Sequence, residues 1–354
     1  MTWIKNRSEA DSHVLHDAVR GVGEALFSDN TSAEWDGAAY FGPFQTDGFR
    51  LSPTTVGGSY NASSENYVSW NWLAGTAPTA DNSASAGATP TAGSVKIDGS
   101  NLGSALAGTI AATRLSANTT SGFSIVKYNG NDTAGATLAH GLGVAPDLVM
   151  IKSLGAGQGW VVTSPELGTT GDTYGGLAEY YILTLNTTDA KGDWSQDTIY
   201  GLTSTTFSIG SSGPMIMVNN SSYDPYVAYC FASVEGYSKI GSYVGNDSTD
   251  GAFVYTGLSP AWLMIKRIDT ANTSTNLNGS HWGIVDIKRN TYNPRPYVLL
   301  ANSSADEDTT NMAESIDLLS NGFKFNSGED TFNGVGTYIY MAFAESPFKY
   351  SNAR

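Results

Sequence analysis

Cysteine, charge and basic residues are all scarce in this chain. Of its 354 residues one is cysteine, Cys230, which excludes an intrachain disulfide framework and a cysteine-rich zinc site. Its setting, Tyr226-Val-Ala-Tyr-Cys-Phe231, reads as a strand, so it is expected to be a small buried hydrophobe. Charged residues make up 14%, against roughly a quarter of an average soluble protein. Eighteen Lys and Arg face 33 Asp and Glu, a net charge of −15; such a surface repels phosphate backbones and argues against nucleic acid as a partner. No apolar run approaches the roughly 18 residues of a membrane span, so no membrane insertion is expected. The chain enters strand-like sequence directly at Met1-Thr-Trp-Ile-Lys-Asn-Arg7 without a secretory signal. If it acts outside a cell, it is expected to leave by another route.

What fills the composition is glycine (40 residues), Ser, Thr, Asn and 11% aromatics, the profile of short strands alternating with polar turns. Three stretches end alike: Tyr67-Val-Ser-Trp-Asn-Trp72, Tyr226-Val-Ala-Tyr-Cys-Phe231 and Tyr338-Ile-Tyr-Met-Ala-Phe343. A Gly-Phe-type strand precedes each ending: Asp47-Gly-Phe-Arg-Leu51, Thr205-Thr-Phe-Ser-Ile209 and Asn321-Gly-Phe-Lys-Phe325. Earlier still stand Trp3-Ile-Lys5, Met150-Ile-Lys152 and Met264-Ile-Lys266. A fixed order of signatures recurring about every 110 residues is one domain copied three times.

Repeats two and three open with hairpin signals, Gly122-Phe-Ser-Ile-Val-Lys-Tyr-Asn-Gly-Asn-Asp132 and Gly236-Tyr-Ser-Lys-Ile-Gly-Ser-Tyr-Val-Gly-Asn-Asp247. Strands such as Asp147-Leu-Val-Met-Ile-Lys152 and the closing strand of each repeat are apolar throughout and read as buried on both faces. The fold expected is therefore all-β: tandem jelly-roll-like β-sandwich modules in series, joined by an extended linker. The bounds are 1–75 (module one), 76–121 (an Ala/Ser/Thr/Gly-rich linker), 122–235 (module two) and 236–354 (module three). The first half of the linker reads as extended low-complexity chain. Its second half spaces Leu102, Leu106, Ile110 and Leu115 for either a short amphipathic helix or ordered coil. Module one lacks the opening hairpin. Its missing strands are expected either from an upstream segment or from a neighbouring chain by strand addition.

Several motifs together resemble a known family. They are Ile4-Lys-Asn-Arg7, Asp17-Ala-Val-Arg-Gly21, Tyr67-Val-Ser-Trp-Asn-Trp-Leu-Ala-Gly75, His140-Gly-Leu-Gly-Val-Ala-Pro146, Tyr226-Val-Ala-Tyr-Cys-Phe-Ala232 and Tyr338-Ile-Tyr-Met-Ala-Phe-Ala-Glu345 with Pro347-Phe-Lys-Tyr350. The set is similar to an uncharacterised repeated domain of tail-fibre-like structural proteins of marine bacteriophages, cyanophages among them. The resemblance implies a virion protein exposed on tail or capsid, forming a homo-oligomer (a trimer favoured), meeting other virion proteins and a host-surface glycan or outer-membrane protein. It brings no catalytic residues and no cofactor. The alternative is a capsid-decorating or filament-forming subunit, assembled by strand complementation of module one.

Candidate chemistry divides unevenly. His13 with Asp17 and Arg20, and His281 with Asp286 and Arg289, could be read as parts of a nucleophilic triad, but no serine on a tight elbow accompanies them. Surface Asp-Arg pairs fixing loops are the reading adopted, and no enzyme is expected. Asp247 with Asp250, and Asp306 with Asp308, have oxygen ligands suited to calcium but not EF-hand spacing. The better lead is aromatic. Trp35, Tyr40, Tyr174, Trp194, Tyr223 and Tyr292 fall in polar loops, where exposed rings stack on sugars at low entropic cost. Trp70, Trp72, Phe231 and Phe343 are expected in the core.

Overall fold

The computed structural model describes residues 1–52, 57–194, 198–210, 216–272, 279–308 and 316–345. It is an all-β structure of sandwich type, whose only helical pieces among the described residues are single 3-10 turns at Pro165–Leu167 and Ser221–Tyr223. Each module is built on a sheet with the same central pairing. In module one the strand Thr2–Asn6 runs between Val14–Asp17 and the closing strand Tyr67–Asn71. In module two Leu148–Ser153 runs between Val161–Thr163 and Tyr226–Phe231. In module three Pro260–Arg267 runs between Trp282–Asp286 and Gly336–Ala344. The shared register makes Trp70, Tyr229 and Met341 equivalent, opposite Trp3, Met150 and Met264. It also aligns His13 with Trp160 and Trp282, rather than with His281, because Val14, Val161 and Gly283 lie opposite Ile4, Ile151 and Ile265.

These central strands are buried on both faces for two different reasons. Outward, each sheet carries its own second layer. In module two that layer is the sheet containing Ala136–Ala139 and Thr206–Ile209, enclosing Tyr128, Val149, Ile151 and Phe207. Module three uses Phe253–Tyr255, Ile316–Leu319 and Gly322–Phe325; module one, among the described residues, uses the hairpin Phe41–Gln45 with Gly48–Leu51. Inward, the three sheets meet one another in a single apolar cluster containing Trp3, Trp70, Trp72, Trp160, Phe231, Trp262, Trp282 and Phe343. At its centre Trp72, Phe231 and Phe343, equivalent residues just at or beyond the closing-strand pairing, touch one another at 6.5, 5.7 and 6.1 Å between ring centroids. The modules therefore do not follow one another in series. They pack about a common centre.

Polar contacts repeat around that centre in one sense. The buried ammonium of Lys5 donates to Ser304 O of module three, that of Lys152 to Thr31 O of module one, and that of Lys266 to Thr188 O of module two. Backbone bonds follow the same cycle: Glu34 N–H to Leu154 O, Glu307 N–H to Arg7 O, and Lys191 N–H to Ile268 O. Trp160 Nε1–H donates to Phe27 O, and Trp282 Nε1–H to Thr184 O. An approximate three-fold arrangement inside one chain is the economical description of these sets.

The segment 76–121 is neither helix nor free coil. Val95–Ile97 pairs in parallel with Arg114–Asn118, which pairs with Phe123–Tyr128 and so extends the sheet of module two. Leu106, Ile110 and Leu115, whose spacing suggested a helical face, are buried one by one against the outer layer of module two. The segment is a part of module two as much as a connection to it. In module one no described strand lies beyond the closing strand, whose sheet ends there. At the positions equivalent to Ala228 and Cys230 of module two and Tyr340 and Ala342 of module three, module one carries the polar Ser69 and Asn71.

Candidate aromatic pocket

The buried titratable clusters serve packing. Asp17 Oδ1 accepts from the backbone N–H of Val19 and Arg20, and its Oδ2 accepts from Arg20 Nε (2.5 Å) and from Tyr229 O–H across the module boundary (2.7 Å). Asp286 repeats this with Lys288 N, Arg289 N, Arg289 Nε and Trp70 Nε1–H. Both ion pairs are buried rather than on the surface, a correction to the sequence expectation, because each closes a joint between modules. Burial pushes both carboxyls up, but the adjacent guanidinium and the donated hydrogen bonds outweigh it and hold them below the usual range. Arg20 and Arg289 bind Glu34 and Glu307 in turn. In module two the equivalent places hold Ser164, Leu167 and Lys191, and Lys191 Nζ donates to Leu167 O instead. His13 accepts the indole N–H of Trp3 on Nδ1 and is held neutral by burial. His281 Nδ1 meets the Asn302 amide.

Aromatic side chains converge at one place. In module one the chain leaves the strand Gly21–Phe27, returns as Trp35–Asp36 paired to Glu24 and Ala25, and turns at Gly37, whose carbonyl accepts from Tyr40 N–H. A second turn at Gly57, whose carbonyl accepts from Tyr60 N–H, brings Tyr60 behind Tyr40. Glycine is required there: a Cβ on Gly57 would lie 2.7 Å from Tyr40 Cε1, and one on Gly58 would lie 2.5 Å from the Asp11 carboxylate. The rings form a run from Phe27 to Trp35 (6.3 Å), Trp35 to Tyr40 (5.5 Å) and Tyr40 to Tyr60, the last stacked at 5.3 Å. Tyr60 is fixed from below by His16, whose Nε2 lies 3.0 Å from its hydroxyl and whose ring stacks on Phe41 at 4.0 Å. Burial, with the Arg20 charge, lowers His16 to about 3, so its ring is neutral at ordinary pH.

These residues line a pocket of about 410 Å³, with Asp11, Ser32, Glu34 and Ser59 among its polar lining. That volume lies within the roughly 300–1,000 Å³ of small-molecule sites, which pair apolar walls with a few polar groups. Trp35 is 40% exposed at its mouth. The arrangement can hold a flat, hydroxyl-bearing ligand: rings for its C–H face, carboxylates and serine hydroxyls for its O–H groups.

Only Trp35 and Tyr40 of the six aromatic candidates come together. Tyr174, in module two, packs on Tyr200 at 5.4 Å. Trp194 lies over Gly192, and Tyr223 ends the 3-10 turn capped by Asn220, its carbonyl accepting from Ser153. Tyr292, in module three, is 81% exposed. Tyr60, Phe27 and Asp11 escaped the sequence reading; the Gly57-Gly58 pair was the available signal for a close turn beneath a ring. Of the calcium candidates, Asp250 is bound by Lys324 Nζ at 2.6 Å. Among the described residues no group of three or more His, Cys, Asp and Glu is placed to hold a metal. Nor is any helix among them long and apolar enough to cross a membrane.

Comparison with known proteins gives one family. No curated protein and no solved structure matches the chain. A family model matches residues 1–100 and again 97–347, two segments that together span nearly all of it. The chain thus belongs to the family described as a domain of unknown function, DUF7483.

Proposed function

We propose that this chain is a non-enzymatic structural and binding protein of a phage particle, a tail fibre or receptor-binding component that meets a host-surface glycan in the aromatic pocket of module one. The observation that carries the binding half of this reading is the Phe27–Trp35–Tyr40–Tyr60 run, with carboxylate and hydroxyl groups on the same pocket wall. Stacking rings beside fixed oxygen acceptors suit a sugar better than an anion, and the net charge of −15 points the same way. The phage setting rests on the family resemblance of the motifs. Such surfaces gain strength from many weak copies acting together, so a single site of modest affinity is sufficient.

A glycan array probed with the intact chain tests this reading. We expect binding to a restricted set of glycans, reduced at least tenfold by Trp35→Ala and by Tyr40→Ala, with Tyr292→Ala unchanged. Binding that survives both pocket substitutions, or no binding to any host-type glycan when the chain is displayed multivalently, would sink it. The filament or decoration alternative draws on the outer edge of the closing strand in module one, which has no partner among the described strands; it calls for polymers that lengthen with concentration in light scattering.

A further inference from the structure

The charges around the aromatic pocket are lopsided. Among its described lining the charged residues are Asp11 and Glu34, both acids. Glu34 accepts from Arg20 Nη1, but Arg20 is also paired with the buried Asp17, so that set of three carries a net negative charge. Asp11 accepts from the uncharged side-chain amide of Asn6 at 2.7 Å. The same amide donates to a further carboxylate, that of Glu65. Lys5 and Lys152 attract Asp11 and Glu34 from within the fold, but their ammonium groups are spent on backbone carbonyls such as Asn6 O and Ser153 O.

Beside Glu34 the crowding of acids continues. Glu24 stands directly opposite Asp36 across the strand pair that carries Trp35, and like charges so placed repel. Burial, then repulsion by Glu34 and Asp36, pushes the Glu24 carboxyl up, against weaker attraction from Arg20 and Lys127. These acids border the rings of Phe27, Trp35, Tyr40 and Tyr60, and the face of an aromatic ring is itself negative. An anion entering the cavity is repelled twice, by carboxylates and by ring faces. A cation is drawn by both.

We propose that the ligand of this pocket is an amino sugar with its amine unacetylated, its ring stacked on Trp35 and Tyr40 and its ammonium directed to the carboxylates of Glu34 and Asp11. The inference rests on the glycan reading above and narrows it to cationic glycans. A neutral hexose would use the rings but bring no counter-charge to the acids. A sugar acid would set like charge against like. Ser32 and Ser59, on the same wall, serve the sugar hydroxyls. Acetylating the amine removes the positive charge while leaving the sugar ring unchanged, so that one chemical change separates the roles of charge and stacking.

Calorimetric titration of the full chain tests this without substitutions, comparing a glucosamine oligomer with its N-acetylated counterpart at mildly acidic pH. The free-amine oligomer should bind about tenfold more tightly in low salt, the effect of one partly desolvated cation contact. That advantage should shrink as ionic strength rises, and a galacturonate oligomer should not bind. Glu34→Gln and Asp11→Asn, which keep the shape and remove one charge each, should narrow the difference, whereas Trp35→Ala should weaken both oligomers. Equal or tighter binding of the acetylated oligomer would overturn the proposal and leave the glycan reading standing. So would an array whose bound glycans all lack a free amine. A short lysine peptide bound as tightly as the amino sugar would overturn it too, since charge alone would then suffice. If neither these oligomers nor any glycan on the array binds, both readings fall together.

Discussion

Asp286 shows what a single carboxylate does in this molecule. It satisfies two backbone N–H groups, the Arg289 guanidinium and, across a module boundary, the Trp70 indole. Removing it strands a buried guanidinium, and breaking a buried pair from one side costs about 3–5 kcal/mol. Asp286→Ala should therefore lower the unfolding free energy by that amount, read as a lower urea midpoint at unchanged slope. Tyr229→Phe, which deletes one hydrogen bond to the charged Asp17, should cost about 1.5–3 kcal/mol. The three cyclic lysines give a pH signature. Burial, opposed only by weaker attraction from nearby carboxylates, lowers Lys5 and Lys152 to about 8 and Lys266 to about 7. Between those values and the unfolded value near 10.4 the unfolded chain binds more protons, so stability rises with pH. Chemical denaturation should thus give a higher midpoint at pH 8.8 than at pH 7.5, an interval over which unfolded tyrosines, with a pKa near 10, stay largely protonated, and Lys266→Met should flatten that rise. A midpoint that falls over this interval would contradict the assignment. The residue scale was partly legible: Trp35 and Tyr40 stood out as rings in polar loops. Tyr60 did not, because a ring buried beneath another ring has the same sequence surroundings as any core tyrosine.

Among the elements, the 76–121 segment departs most from its sequence. Its strands are short: Val95–Ile97 and Ser100–Asn101 show too few residues for an alternation to register. The pairing of Val95–Ile97 is parallel to a strand that itself closes on the next module, a contact no local pattern announces. The helical spacing of Leu102, Leu106, Ile110 and Leu115 does not mark a helix: Leu106 and Ile110 are buried from a loop, Leu115 from the strand Arg114–Asn118, and Leu102 is only partly buried. Leu115 is fully buried, so Leu115→Ala should cost about 2–5 kcal/mol, as for a core position. A true linker residue would give almost nothing; thermal denaturation separates the two. The burial of the closing strands on both faces is plain in their unbroken apolar runs, but a face covered by another module looks the same in sequence as one covered by a second layer.

On the scale of the whole molecule, the sheets' inner faces belong to no module by itself. Trp3, Trp160 and Trp282 are fully or almost fully buried there, and the cavity left between Trp72, Phe231 and Trp262 is only about 10 Å³. A module cut out alone would expose this face as a large apolar patch. We expect one calorimetric transition with matching calorimetric and van't Hoff enthalpies, rather than three. Trp72→Ala, at the centre, should lower the stability of the whole unit by about 3–5 kcal/mol. Three separate transitions would show that the modules fold independently. Internal repetition was plain in the sequence, whereas the closed packing was not, since repeats strung out and repeats gathered share the same local motifs.

Module two departs from its neighbours by a matched exchange, with Ser164, Leu167 and Lys191 in place of an Asp, Arg and Glu set. Each set is internal to its own module: Arg20 meets Glu34 in module one, Arg289 meets Glu307 in module three, and Lys191 meets the Leu167 carbonyl in module two. Three copies of module two would each carry their own lysine together with the carbonyl that seats it.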